Sequence, residues 1–290
     1  MSRRNLILFI LAGFLWGIPY LFIRVAVDEQ NGFSPAIVVF GRVFIGALIL
    51  IPIAIRDKSF FSAIKGWKYI VVYALFEMVG PWILIGTAEQ KITSGLAGLL
   101  VSSVPIFSTL IASSLGDKSV WQPRRIVGIV IGFLGVFLLV GIESFTGSSD
   151  PIAILMTLAA ALGYAFAVIY ITRKLPGESG VAINAIAMAM TAIFYSPALF
   201  FLWPEHTVSK TAIYSVIALG VFSTGIAFAV FFTVMAEIGP TRASLVTYMN
   251  TAFAVVLGVI ILNEPLTVGI IVGLPLVLVG SYLASRKSNA

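Results

Sequence analysis

Apolar stretches of about twenty residues recur ten times along this chain, each closed by a short polar break. They cover roughly 5–27, 35–55, 67–88, 93–115, 124–142, 151–171, 181–203, 211–236, 241–262 and 268–285. A helix crossing a ~30 Å hydrocarbon core needs roughly 20 mostly apolar residues, and each run supplies them. The breaks fall at clusters such as Arg56-Asp57-Lys58-Ser59, Gly147-Ser148-Ser149-Asp150 and Lys174-Leu175-Pro176-Gly177-Glu178. Gly239-Pro240 divides what would otherwise be one long helix. The pattern predicts an all-α integral membrane protein with ten transmembrane helices. It leaves no room for a soluble domain. Composition agrees, since only 10% of residues are charged where a soluble domain carries about 25%.

Charge sets the expected orientation. With ten spans both termini share one side, and that side carries Arg3, Arg4, Arg56, Lys58, Lys65, Lys68, Lys118, Arg124, Arg125, Arg173, Lys174, Arg242, Arg286 and Lys287. The other side carries only Lys91 and Lys210, so the termini are expected in the cytoplasm. The net charge of +6 then reflects topology. A nucleic-acid partner is not expected, because the basic residues are scattered among loops. Ser2-Arg3-Arg4 before an apolar run resembles a twin-arginine signal, but that run is too long and nine more follow. Cysteine is absent, and the single histidine, His206, falls in a loop. No cofactor or metal is expected.

The two halves, 1–146 and 147–290, resemble each other at an offset of about 147 residues. Leu15-Trp16-Gly17 aligns with Leu162-Gly163-Tyr164, and Leu115-Gly116-Asp117-Lys118 with Leu262-Asn263-Glu264-Pro265. Glycines seven apart mark the last helix of each half, Gly128 and Gly135 against Gly273 and Gly280. Five spans per half is odd, so the second half enters the membrane from the opposite face. That is the inverted repeat on which many secondary transporters are built.

These residues carry a family resemblance. Trp16-Gly17, Arg42, Ala88…Thr93-Ser94-Gly95-Leu96-Ala97, Pro105 and Leu115-Gly116-Asp117 are similar to one EamA-type repeat. Ala236…Gly239-Pro240-Thr241-Arg242-Ala243-Ser244-Leu245, Gly258 and Leu262-Asn263-Glu264-Pro265-Leu266-Thr267 are similar to a second. Over about 6–286 the chain resembles the drug/metabolite transporter superfamily, and its layout is similar to bacterial YddG-type exporters of aromatic and other amino acids. It departs from that pattern at Asp117, where the family usually has Glu, and at Asn250-Thr251-Ala252, where it usually has Pro. The resemblance implies a cavity lined by spans one to four and six to nine, with five and ten peripheral. It also implies export across a bacterial inner membrane.

Polar groups in hydrocarbon are costly, so each needs a reason. Clear of span ends, only Arg42 and Glu77 carry charge. Counting 1.5 Å per residue places them within about 5 Å in depth, which predicts an ion pair. That pair either holds the fold or faces the cavity to take substrate or a proton. Arg24 is expected to snorkel or to pair with Asp28. Ser102-Ser103-Val104-Pro105 and Tyr248-Met249-Asn250-Thr251 fall at corresponding mid-depth positions of spans four and nine, where helix breaks would free backbone groups. Such breaks serve either a site or packing alone. Trp16 and Tyr20, four apart beside Pro19, share a face of span one. With Pro81, Trp82, Tyr164 and Thr224 they complete the candidate substrate-binding set. Gly13/Gly17, Gly128/Gly132 and Gly269/Gly273 are close-packing pairs, serving a monomer or, in spans five and ten, a dimer.

Enzyme motifs such as H-E-x-x-H and G-x-S-x-G are missing, and nothing resembles a channel filter. The expected function is secondary transport by alternating access in the lipid bilayer. The expected substrate is an aromatic or hydrophobic amino acid or related small metabolite. The alternative is proton-coupled export of cationic drugs through Glu77.

Overall fold

The computed structural model describes residues 2–117, 121–145, 149–239 and 243–285. Lys118, Gly147-Ser148, Pro240, Thr241, Arg242, Arg286 and Lys287, all used above, lie outside these residues. Ten apolar helices follow one another among the described residues. Eight of them, of 21–29 residues, are long and apolar enough to cross a membrane: α1 (Arg3–Ala26), α2 (Pro35–Arg56), α3 (Phe60–Ala88), α4 (Ser94–Ser114), α5 (Pro123–Phe145), α6 (Pro151–Lys174), α7 (Gly180–Phe201) and α8 (Lys210–Ile238). Two shorter ones complete the set, α9 (Val246–Leu262) and α10 (Val268–Ser285). Every apolar run read from the sequence became a helix. Large apolar side chains such as Phe137, Phe200, Phe201 and Ile260 stay exposed on the flanks, as lipid contact requires.

The helices alternate in direction, giving a terminal face and a far face. Arg4 and Glu237 meet on the terminal face at 2.9 Å, as do Ser62 and Glu178 at 2.7 Å. On the far face the Ser209 amide donates to the Asn31 carbonyl at 2.9 Å, joining the first and seventh inter-helix loops. Most of the packing between the halves maps onto itself when helices one to five exchange with six to ten, the contact of α10 with α4 being an exception. Thus α1 on α9 corresponds to α6 on α4, α1 on α8 to α6 on α3, and α2 on α8 to α7 on α3. Meanwhile α2 meets α7, α4 meets α9, and α5 meets α10.

Small residues bring α5 and α10 to backbone contact. Gly128 and Gly132 lie against Gly280, and Gly135 against Leu276 and Val277. A side chain at Gly280 would collide with the Gly132 backbone. Gly13 and Gly17 seat α1 against Met249, Asn250 and Phe253 of α9 in the same way.

Proline and π turns interrupt the helices in a pattern that sets up the interior. Helix α1 breaks at Ile18, with Pro19 opening its second piece, and α4 breaks at Ser102-Ser103 ahead of Pro105. In α3 the stretch Leu75–Val79 is π-helical, and in α8 so is Leu219–Ile226. Such turns often mark functional sites. The expected break in α9 at Tyr248–Thr251 does not occur. The helix is continuous there, and the chain turns earlier, at Ser244-Leu245. The reason is local: no proline removes an N–H from this stretch, and Thr251 satisfies the Thr247 carbonyl with its hydroxyl at 3.1 Å.

Candidate substrate site

Arg42 is the centre of the arrangement. It sits on α2, 8% exposed, and its Nε donates to Thr224 Oγ1 at 2.9 Å. Its guanidinium lies 3.6 Å from the centroid of the Trp82 ring. Thr224 is presented by the π stretch of α8, and Trp82 by the piece of α3 that follows its own π stretch and Pro81. Stacking on an indole and a hydroxyl contact both lessen the cost of burying the cation. Tyr20, from just past the α1 break, and Tyr164 on α6 are electrostatic neighbours of the same guanidinium, as is Glu89. Tyr164 touches both of the large apolar clusters, so the site lies on the seam between them. Pro81 packs on Gly163 next door, where the absence of a side chain lets α6 approach α3.

The expected Arg42–Glu77 ion pair is absent. Among the described residues no carboxylate comes within 4.0 Å of Arg42. Thr224 and Trp82 take the guanidinium instead, and depth alone, which suggested the pair, ignores where each helix turns its face. Glu77 stands in the π turn of α3 near Tyr73 and Tyr164, and its Oε2 is buried without a hydrogen-bond partner. The Arg24–Asp28 pair is also absent. Arg24 Nη1 donates to the Glu89 carbonyl at 2.5 Å, while Asp28 Oδ1 accepts from the amides of Gln30 and Asn31.

Other expected site residues fall outside this constellation. Trp16 turns toward α8, with ring centroids 5.5 Å from Phe228 and 4.3 Å from Phe231, so the break at Ile18 separates it from Tyr20. Ser102 and Ser103 return their hydroxyls to Leu99 and Leu100 carbonyls at 2.6 Å, and Ser281 of α10 donates to the Ser102 carbonyl at 2.8 Å. Those serines close the α4 break from within. Tyr248 meets Tyr282 of α10 at 6.3 Å between centroids. Asn250 and Thr251 lie where α9 touches α1 and α4, with the Thr251 hydroxyl 3.5 Å from the Gly98 carbonyl.

Three residues of α7 absent from the expected set hold α3 at and just before its π turn. Tyr73 donates to Asn184 Oδ1 at 3.1 Å, Thr191 meets Met78 Sδ at 4.0 Å, and Tyr195 donates to the Val79 carbonyl at 2.8 Å. Asn184, Thr191 and Tyr195 lie seven and four residues apart, one face of α7. That spacing was a usable signal in the sequence. Ser223, beside Thr224 in the α8 π stretch, buries a hydroxyl that has no partner. Glu89, directly after α3, is completely buried, and neither carboxylate oxygen has a hydrogen-bond partner.

At the far face Glu264 seals α9 to α4. Asn263 adopts a left-handed conformation (φ 53°) that asparagine tolerates, ending α9. The next residue then turns inward, and its carboxylate accepts from the Ser94 amide at 2.8 Å, the Ser94 hydroxyl at 2.9 Å and the Gly95 amide at 3.1 Å. A carboxylate at a helix N-terminus meets unpaired N–H groups and the positive end of the dipole. Gly258 leaves the room for it. Above lies a pocket of about 560 Å³ lined by polar residues that include Arg24, Asp28, Thr93, Thr211 and Glu264.

A family model described as the EamA-like transporter family matches residues 3–141 and again 151–286. The uncharacterized transporter YvbV of Bacillus subtilis is 23% identical over 95% of this chain and 90% of its own. An uncharacterized transporter of Archaeoglobus fulgidus is 29% identical, covering 94% of this chain and 95% of its own. The uncharacterized inner membrane transporter YedA of Escherichia coli K12 is 26% identical over 94% of this chain and 90% of its own. A solved crystal structure shares the fold with a TM-score of 0.67 at 16% identity, over 98% of this chain and 97% of that one.

Proposed function

Because the chain belongs to the EamA-like transporter family and is a multi-pass membrane protein, we propose that it carries hydrophobic or aromatic amino acids by alternating access. One observation supports this most: an arginine buried in the bundle, bonded to Thr224 and stacked on Trp82, with no carboxylate within 4.0 Å among the described residues. A substrate carboxylate suits that vacant pairing, since charge-assisted bonds in a dry site are strong. Trp82, Tyr20 and Tyr164 offer an aromatic wall for the side chain. The unpaired Oε2 of Glu77 and the hydroxyl of Ser223 supply polar partners for an ammonium group. One arginine is poor provision for a multiply charged phosphate. The symmetric packing of the halves supports an inverted repeat, whose exchange of shapes moves the opening from one face to the other. The basic terminal face is read as cytoplasmic, and movement is read as outward across a bacterial inner membrane. The carrier is read as a monomer.

Proteoliposomes holding the purified protein should exchange labelled phenylalanine, methionine or leucine faster than empty ones. A cationic dye moving while none of these does would favour the drug-antiport reading through Glu77. Orientation is tested separately, because the chain has no cysteine. Cysteines placed at Ser59 or Glu178 should react with an impermeant maleimide only from the cytoplasm, and one at Ser209 from outside. Labelling of Ser59 in intact cells would reverse the assignment.

A further inference from the structure

Glu89 is a carboxylate that the substrate site does not use. It is 0% exposed, and the guanidinium of Arg24 meets its backbone carbonyl while both side-chain oxygens have no hydrogen-bond partner among the described residues. The charged and titratable groups facing it are Arg24 and Tyr20 from α1, Arg42 from α2, and Glu264 from the turn after α9. Glu264 already commits its charge to the amides of Ser94 and Gly95. An ionised carboxylate left unpaired in such surroundings is strongly disfavoured, so the arrangement suits the neutral acid. Release of a proton needs a partner and water, and both are close. Arg24 and Glu264 line the pocket of about 560 Å³ that opens on the far face. Its repeat counterpart shows the other condition: Glu237 at the end of α8 is ion-paired with Arg4 at 2.9 Å and 27% exposed.

We propose that Glu89 is a proton-binding site on the far-face gate, protonated while the gate is packed and releasing its proton to the pocket when Arg24 turns from the carbonyl to the carboxylate. The step is a simple dissociation: the acid O–H breaks, the proton passes to water in the pocket, and the carboxylate keeps the electron pair beside Arg24. Resting on the transporter reading, this links substrate movement to proton movement across the far face. The proton site itself can be observed without any substrate.

Infrared pH-difference spectra of the purified full chain should show a titrating carboxylic C=O band that Glu89→Gln removes. In Arg24→Gln the same band should titrate about one pH unit higher, because a cation favouring the ionised form is gone. In proteoliposomes, Glu89→Gln should keep phenylalanine counterflow without a pH gradient near the wild-type rate. It should lose the several-fold response to an imposed gradient that wild type shows. Absence of any band assignable to Glu89, a gradient response that survives Glu89→Gln, or wild-type exchange indifferent to the gradient overturns the proposal. If phenylalanine moves in no vesicle while the band is present in wild type and lost in Glu89→Gln, the proton site stands and the substrate reading falls.

Discussion

Ala88-Glu89 closes α3 and Ala236-Glu237 closes α8, the same dipeptide in the same place of each half, yet the two carboxylates meet opposite surroundings. Glu237 lies at the surface with Arg4, whereas the Glu89 carboxylate is sealed inside with no hydrogen-bond partner among the described residues. The helices that enclose them differ in the same sense. Helix α1 is broken where α6 is continuous, and α4 is broken where α9 is continuous. The centre keeps its likeness, with a π stretch in both α3 and α8. A symmetric pattern of packing with unlike ends is what alternating access requires of a single resting state. On the proposed mechanism the shared elements would hold the site and the unlike ones would form the gates.

Arg42 should give the largest effect, because the offset of 147 puts Ala189 in its place and the charge belongs to one half alone. Arg42→Gln should cost the carboxylate contact about 1.5–3 kcal/mol, a loss of roughly ten- to a hundredfold in apparent phenylalanine affinity. Counterflow kinetics would read it, and an unchanged affinity would move the carboxylate site elsewhere. Glu264→Gln should act on stability instead. It weakens the seal on the α4 N-terminus by about 1–2 kcal/mol, visible as a lower melting temperature in detergent. Glu237→Gln should come last. Its pair is at the surface, where such bridges contribute about 0–1 kcal/mol, so melting should barely move. Equal destabilisation by the Glu264 and Glu237 changes would erase the distinction between a sealed far face and a looser terminal face.

Several features of the interior were legible in the chain, and their physical reasons are plain. Pro19 and Pro105 each remove an N–H, and α1 and α4 break just before them. At the offset of 147 stand Phe166 and Ala252, and there the helices continue. The break expected near Asn250 came from counting polar residues rather than missing donors. Arg42 was legible as a charge out of place, but its partner was not. Depth along a span follows from counting residues, whereas azimuth depends on how each helix is rotated by its neighbours. Glu89 escaped notice for a related reason. It stands at a helix end, where a carboxylate ordinarily meets water, and only the packing of distant elements buries it.

The sequence by itself determined the ten helices, their order and the class of protein. Those follow from the free energy of burying backbone and apolar groups in a bilayer, which each segment decides alone. The tertiary structure decided which polar groups meet: Arg42 with Thr224 and Trp82, Glu264 with Ser94 and Gly95, Arg24 with the carbonyl of Glu89 and not with its carboxylate. Such pairings depend on the rotation and close approach of helices distant in the chain, set by glycine contacts and π turns acting together. A single segment carries no record of that rotation.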